Sequence, residues 1–587
     1  MIVVNCIKYG QKDKFLLKFQ YEPTLIEKIK EISKDDREYD PDNKLWILKT
    51  YALYELMNKF KNQQEYIYFN LNNKDKEYFK KRVKKKKEEF KKKQEELRKL
   101  EEKKEYWLKY KEELKETYKL YENKLHENLK DGVKLYPYQS QAVLFSDAVR
   151  NVLLALDMGS GKTLVSISLS EYNNFDKVFV ITPNSLKFNY YDEVEKFTNS
   201  KAHIIKWKHN KYTLEESKYI IVNYDFFRNK NSVKKFNKLG IDKIDCLILD
   251  ECHKITNTKS NTYNNIKDIF TKEIFTNNNE CKIYMSGTPM TNRVYQLYAI
   301  LNQLSPLEFS NKNDFYEKYC GMIYDPNEYS NYRFEYDKAN FELLFEKISP
   351  YVFRLKKEDI LSELPSKTYQ KIVFDMGNKD WDEYNNVKEE IIKELRENQK
   401  VNPLTILLRL RQYLAIKKVN NKDFIDFINT ILENGEKVVI MDIFVESLKV
   451  LKEKFKDVSV LHYGDVDIED RREMIRQFQD PNSNVKMFLS TTQTGKEGLT
   501  LTQASKLIVV TQPYSYGENE QVVDRVHRIS QKNKVNAYYP IYNNTIDVKI
   551  FNDVEGKKYE IKKVLDGEEY ESNVMDLRID DLINSLK

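Results

Sequence analysis

Three short stretches carry residue types and spacings suited to phosphoryl chemistry. The first, LALDMGSGKT, ends at Thr163. An apolar run there hands over to a helical pattern, with Met158, Gly159, Ser160 and Gly161 in the turn. The two glycines would let the backbone turn tightly and aim its N–H groups at phosphate oxygens. The following helix would present its positive N-terminus to the same anion. Lys162 would reach the β- and γ-phosphates of ATP, and the Thr163 hydroxyl would take Mg²⁺. A full Walker loop has a glycine where Leu156 stands, so this loop is a shortened form.

The second stretch is CLILDECH, from Cys246 to His253. Its apolar run suits a buried strand, so Asp250 and Glu251 would emerge at the C-terminal end, where α/β sheets place their ligands. Asp250 would hold Mg²⁺, and Glu251 would orient and deprotonate the attacking water. His253 would link the nucleotide to the SGTP loop that starts at Ser286. DECH alone is an ordinary polar strand end; GSGKT upstream lends it weight. The third stretch, QVVDRVHRIS, offers Gln521, Arg525 and Arg528. The arginines are three apart and so share a helical face. Phosphoryl transfer needs positive charge on the γ-phosphate. Salt-bridged surface arginines are the plain alternative. Their place in a separate sheet domain favours a site completed when two domains close.

The elements that must position these residues follow from hydrophobic periodicity. After Gly132, β-branched runs alternate with helical patterns: NVLLAL, KVFVIT, KYIIVNY, DCLILD and KIYMSG. A second series starts with KVVIMD and continues with VSVLHY, VKMFLS, KLIVVT and VNAYYPI. Strands alternating with helices predict parallel sheets covered on both faces. The expected fold class is α/β, with two parallel-sheet domains in tandem at 131–310 and 431–550. A helical linker is expected over 311–430 and a polar C-terminal tail over 551–587. Residues 1–70 read as a small α+β domain. Over 78–130 the composition turns to Lys and Glu, with Val83, Phe90, Leu97, Leu100, Leu108 and Leu114 as a thin apolar stripe. A long charged helix is the plain reading, and it offers a surface for a protein partner. A basic arm for nucleic acid, centred on KKRVKKKKEEFKKK, is the sharper one.

Hydrophobic residues make up 41% of the 587, ample for several cores, which excludes a disordered chain. The net charge of +7 is too modest to prove nucleic-acid binding by itself. Cys6, Cys246, Cys252, Cys281 and Cys320 are odd in number and lack CxxC spacing, which argues against a disulfide framework or a zinc site. No run approaches the roughly 20 apolar residues of a membrane helix, and MIVVNCIKYGQ is too soon interrupted for a signal peptide. No membrane association is expected, and the cytoplasm of a bacterium or of a phage-infected cell suits the layout.

In order along the chain, the motifs resemble those of the Swi/Snf-type DNA translocases of helicase superfamily two. LYPYQSQAV resembles the family's adenine-recognising entry motif, which makes Gln139 the base reader. PNSLKFNYYDEVEKF, DECHKITNTKS, SGTPMTNRVYQLYAILNQLSP, YVFRLKKEDILSELPSK, LRLRQYL, STTQTGKEGLTLTQA and DRVHRISQ resemble its later blocks. The resemblance covers roughly residues 134–550 and implies two RecA-like domains, ATP and Mg²⁺ as cofactors, and duplex or forked DNA gripped without sequence preference. The shortened GSGKT loop is the form that superfamily uses. Thr182, Asn184 and Ser185, with Ser490, Thr491 and Lys496, are the implied strand contacts, since hydroxyls and amides suit phosphate oxygens. The chain departs at Tyr190, where the family has Trp, at PYSYGEN in place of its WNP segment, at GLTL for GLNL and at HRISQ for HRIGQ. The N-terminal unit, through Arg37, Tyr39, Asp40 and Trp46, resembles the HARP-type domain of annealing helicases; a small docking domain with one buried Trp is the competing reading. Fork remodelling or strand annealing, an RNA helicase, and an ATP-gated scaffold remain as functions.

Overall fold

The computed structural model describes residues 2–10, 13–32, 36–61, 66–208, 211–325, 332–356, 365–397, 403–495, 499–528 and 531–567. Two compact units divide the chain, Met1–Lys104 and Glu105–Lys587.

In the first unit, β1 (Ile2–Lys8), β2 (Lys14–Lys18), α1 (Pro23–Lys30), β3 (Arg37–Asp40), β4 (Leu45–Lys49), α2 (Thr50–Lys59) and β5 (Ile67–Asn70) lead into α3 (Asn73–Thr117). The sheet order is β3-β4-β2-β1-β5, with β1 and β5 parallel and the other pairs antiparallel. Period-2 alternation sends Val4 and Cys6 of β1, and Phe15 and Leu17 of β2, to one face. There they pack with Leu25 and Ile29 of α1, Leu53 and Leu56 of α2, and Phe79 and Val83 of α3. This is the expected small α+β fold. Tyr39 and Trp46 are cross-strand partners with ring centroids 4.8 Å apart, and Asp40 Oδ1 accepts from the N–H groups of Asp42 and Asn43 to close the turn.

The charged helix α3 begins five residues before the expected 78 and ends at Thr117. Its apolar stripe is not continuous: Val83 and Leu114 are buried, whereas Phe90 is 52% exposed and Leu108 39%. Two ends are packed and the middle faces solvent. In the second unit its last turns bury Trp107 edge-on to Tyr351, and Lys111 Nζ donates to Val352 O at 3.0 Å.

After α4 (Glu122–His126) and α5 (Pro137–Val149) come β6 (Asn151–Leu156), α6 (Lys162–Tyr172), β7 (Val178–Thr182), α7 (Lys187–Phe197) and β8 (Ala202–Ile204). A short hairpin of β9 (Lys206–Lys208) and β10 (Lys211–Thr213) precedes β11 (Tyr219–Asn223), β12 (Cys246–Asp250) and β13 (Lys282–Met285). A second hairpin, β14 (Met322–Tyr324) with β15 (Tyr332–Phe334), comes before β16 (Val352–Leu355). The first lobe is the parallel sheet β16-β6-β13-β12-β7-β11-β8. The second lobe comprises β17 (Lys367–Phe374), β18 (Val438–Asp442), β19 (Ser459–His462), β20 (Met487–Thr491), β21 (Lys506–Val509) and β22 (Val535–Tyr542), ordered β17-β22-β21-β18-β20-β19 and also parallel. Helices cover both faces, so central strands such as β7, β12 and β18 are buried at every position. Each Val, Leu or Ile so placed contributes about 1.5–3 kcal/mol of burial.

Two expectations need correction. The stretch 311–430 is not only a helical linker, because β16 joins the first sheet beside β6 and β17 joins the second beside β22. Both are edge strands and partly exposed, so KTYQKIVF mixes polar and apolar residues and lacks the unbroken apolar run of a central strand. Nor is 551–566 a tail. The helix Ile546–Asp566 buries Ile550, Val554, Ile561, Val564 and Leu565. Residues 568–587 of the expected tail lie outside the described residues.

The C-terminal helix also carries buried charge. Arg293, in the segment after the SGTP loop, pairs with Asp553 at 2.6 Å and with Glu560, while its guanidinium lies 4.5 Å from the Tyr336 ring. Lys557 pairs with the same Asp553 at 2.6 Å. Removing one partner from such a cluster leaves buried carboxylate charge undercompensated. Arg293→Ala should therefore lower unfolding free energy by about 3–5 kcal/mol, read as a fall in the urea midpoint, with Arg293→Lys recovering part. A midpoint unchanged by Arg293→Ala would show that the cluster contributes nothing to stability.

Candidate nucleotide site

The strand β6 ends at Leu156, and the chain turns through Asp157–Gly161 before α6 begins at Lys162. Gly159 and Gly161 stand at φ +80° and +77°, the left-handed region where glycine is unstrained. A Cβ on Gly161 would also lie 2.4 Å from Gln139 Nε2. That amide donates to Ser160 O at 3.1 Å, its Oε1 accepts the Tyr136 N–H at 2.9 Å, and the Tyr138 hydroxyl donates to the same Ser160 O at 2.9 Å. Ser160 Oγ closes the turn onto Asp157 O at 2.7 Å. Lys162 Nζ donates to Leu156 O at 2.8 Å and Asp157 O at 3.2 Å, weak neutral partners that a phosphate would replace.

The loop is braced from below. Arg354 on β16 donates to Asp157 Oδ1 at 2.6 Å, to Ala155 O at 2.9 Å and to Asp566 Oδ1 at 2.8 Å. Burial works against its charge, but Asp157 and Asp566 hold its pKa above the ordinary arginine value. The end of the C-terminal helix is thereby tied to the base of the phosphate loop.

At the end of β12, Asp250 is buried, and its Oδ2 accepts from Thr182 Oγ1 at 2.9 Å. Glu251 adopts φ 53°, ψ 53°, a left-handed conformation that costs a non-glycine residue on the order of 1 kcal/mol and turns its side chain out of the strand direction. Its Oε2 lies 3.1 Å from His253 Nδ1 and accepts from Ser286 Oγ at 3.0 Å, while His253 Nδ1 lies 3.1 Å from that hydroxyl. His253 thus lies in hydrogen-bonding reach of both Glu251 and Ser286 of the SGTP loop. Burial, and then the Glu251 charge, push Asp250 up to about 7. Burial would raise Glu251 too, but His253, Lys162 and Ser286 draw it below the usual carboxylate range.

Across the cleft stands the helix Tyr516–Val523 with the turn after it. Gln521 Nε2 donates to Thr288 Oγ1 of the SGTP loop at 3.3 Å, and Gly517 N donates to Thr291 O at 3.1 Å. Arg525 Nη2 approaches Met158 Sδ at 4.0 Å, and burial with the neighbouring Arg528 brings its pKa down to about 10, still charged at neutral pH. Arg528 donates to Thr500 Oγ1 at 2.7 Å. The cleft, about 870 Å³ and partly open, is lined by Lys162, Thr163, Asp250 and Glu251 on one side and Gln521, Arg525 and Arg528 on the other.

Family models match accordingly: the SNF2-related domain over residues 117–419 and the helicase conserved C-terminal domain over 421–530. The chain belongs to the SNF2-related family. It is 26% identical to an uncharacterized ATP-dependent helicase of Mycoplasma genitalium over 73% of this chain and 42% of that protein. It is 25% identical to the DNA annealing helicase and endonuclease ZRANB3 of Homo sapiens over 70% of this chain and 39% of that protein. The ISWI chromatin-remodeling complex ATPase ISW1 of Saccharomyces cerevisiae is 25% identical over 71% of this chain and 39% of that protein. The chain thus spans about two fifths of the length of these curated relatives. A solved Sulfolobus solfataricus SWI2/SNF2 ATPase core in complex with dsDNA is 21% identical, at TM-score 0.35, over 75% of this chain and 94% of that one.

In this SNF2-related chain the residues expected at the nucleotide converge, with Met158, Gly159, Gly161 and His253 also lining the cleft. Gln139 and Ser160 sit behind the loop and shape it. Of the expected strand contacts, Asn184 and Ser185 are exposed and Thr491 is half-buried, each at or just beyond a strand's C-terminal end. Thr182 and Ser490 require correction: both are wholly buried. Thr182 supports Asp250, and Ser490 Oγ lies 3.1 Å from His462 Nδ1, because both sit near the C-terminal ends of interior strands. Lys496 lies outside the described residues. Sequence reasoning missed Glu193, which lines the cleft and is raised above the usual carboxylate range by burial. It is the Glu of the PNSLKFNYYDE block, a signal visible there. Tyr190, where the family has Trp, is buried with its hydroxyl 2.8 Å from Ser166 Oγ.

The donor set fits Mg²⁺. Thr163 and Asp250 offer hard oxygens beside an acid pair whose mutual repulsion a divalent cation relieves. Among the described residues no group of three His, Cys, Asp or Glu could hold a metal ion. Among the described residues, too, no helix is long and apolar enough to cross a membrane.

Proposed function

We propose that this chain is a nucleic-acid-dependent ATPase that translocates on duplex or forked DNA, remodelling forks or annealing strands. The observation that carries it is the cleft in which Lys162 and Glu251 of one lobe face Arg525 of the other. Lys162 exchanges its two carbonyl partners for the β- and γ-phosphates. Glu251, held by Ser286 and His253, accepts the proton of the water whose oxygen attacks the γ-phosphorus. The bond from that phosphorus to the bridging oxygen breaks, ADP leaves with the electron pair, and Arg525 meets the developing charge. Thr163 and Asp250 would hold Mg²⁺, which would supply charge neutralisation on the phosphate oxygens. Because the site spans two lobes, each turnover couples to their closing and opening. The named activities of the relatives, DNA annealing helicase and chromatin-remodeling ATPase, favour DNA over RNA as the track.

The test is ATP turnover with no nucleic acid, duplex DNA, forked DNA, single strands and RNA, for wild type and Lys162→Ala. Stimulation by duplex or forked DNA, falling steeply with salt and lost in the variant, is expected. Stimulation by RNA alone would make the chain an RNA helicase, and a flat response would leave an ATP-gated scaffold.

A further inference from the structure

The positive charge of this chain is not spread evenly. Residues 1–104 hold 28 Lys and Arg against 19 Asp and Glu, a net +9, so the other 483 residues carry −2 of the chain's +7. Within α3 the division is sharper. Lys80, Lys81, Arg82, Lys84, Lys85, Lys86 and Lys87 put seven cations and no acid into eight residues. From Glu88 to Thr117 the same helix has ten cations and ten acids.

We propose that the Lys80–Lys87 block is a second nucleic-acid contact, gripping the phosphate backbone outside the nucleotide site. This rests on the reading that the chain binds nucleic acid. Lys80, Lys81, Lys84 and Lys85 are exposed, and none makes a hydrogen bond or ion pair among the described residues. By contrast Lys92, Lys99, Lys109 and Lys115 each have a glutamate partner one turn away. The block is also rigidly presented. Phe79 and Val83 anchor its helix in the core of the first unit, and Arg82 pairs with Asp13 at 2.7 Å. Although Lys86 pairs with Glu89 at 3.5 Å, the four exposed lysines recur one turn apart, at 80 and 84 and at 81 and 85, and so share one side of the helix from which a phosphate backbone can be met. A membrane surface is the weaker fit, since interfacial helices bury an apolar face in the bilayer, and here Phe79 and Val83 already face protein. Backbone contacts of this kind hold the chain on the track without reading sequence.

The test uses the full chain and two variants of equal charge change, both to a good helix former. One carries Lys80→Gln, Lys81→Gln, Lys84→Gln and Lys85→Gln; the other carries Lys92→Gln, Lys99→Gln, Lys109→Gln and Lys115→Gln. Nucleotide-free binding to duplex DNA, single-stranded DNA and RNA is measured across a salt series, with vesicles containing phosphatidylserine as a further arm. The first variant should bind nucleic acid at least roughly tenfold more weakly at low salt, its log–log salt slope shallower by up to ~3–4. The second should match wild type. Turnover at saturating nucleic acid should stay the same in both, which a folding defect would not allow. Equal losses in the two variants, no loss in either, or loss of vesicle binding alone would overturn the proposal. If wild type binds no nucleic acid, the translocase reading falls with it, so the two failures are distinguishable.

Discussion

Arg525→Ala is expected to lower nucleic-acid-stimulated kcat for ATP by about 10³–10⁵-fold, with a far smaller change in ATP affinity. Its guanidinium reaches across the cleft to the phosphate loop, where Met158 Sδ is 4.0 Å away, and Glu251 is among the charges acting on it. Charge on the γ-phosphate grows during transfer, so a cation placed there acts mainly on the transition state. The helix ends at Val523, so the two arginines lie in the turn after it and share no helical face. Arg528 lines the same cleft but donates to Thr500 within its own lobe, so Arg528→Ala should cost clearly less than Arg525→Ala. Single-turnover hydrolysis with both variants decides the matter. A larger loss with Arg528→Ala would reverse the assignment, and loss of both at the level of nucleotide binding would remove the transition-state role.

Glu251→Gln is expected to cut turnover by about 10²–10⁴-fold, the range of a positioned general base, while nucleotide still binds. Gln keeps the shape and the hydrogen bond from Ser286 but cannot accept the proton of the attacking water. The left-handed backbone at φ 53° costs on the order of 1 kcal/mol, strain of the kind that gathers at active sites. Because His253, Lys162 and Ser286 draw its pKa below the usual carboxylate range, Glu251 is ionised and ready throughout neutral pH. Stopped-flow binding of a fluorescent ATP analogue, beside steady-state turnover, separates the two steps. Wild-type turnover in Glu251→Gln would place the base elsewhere in the cleft, with the raised Glu193 as the next group to replace.

The sequence by itself determined the parts that consecutive residues encode. GSGKT specifies a glycine loop before a helix, and the run ending at Asp250 specifies a central strand with its acids at the tip, because turn chemistry and side-chain periodicity are local. The ten β-branched runs are strands of the two sheets for the same reason. Tertiary structure decided whatever joins residues far apart in the chain. It made β16 and β17 edge strands of different sheets, folded 546–566 back so that Asp566 braces Asp157 through Arg354, and buried Thr182 beneath Asp250. It also set Arg525 4.0 Å from Met158 of the phosphate loop while bonding Arg528 to Thr500 of its own lobe. Two arginines three apart look alike in sequence; which one meets a phosphate depends on how two lobes approach, a relation that neither lobe's local pattern contains.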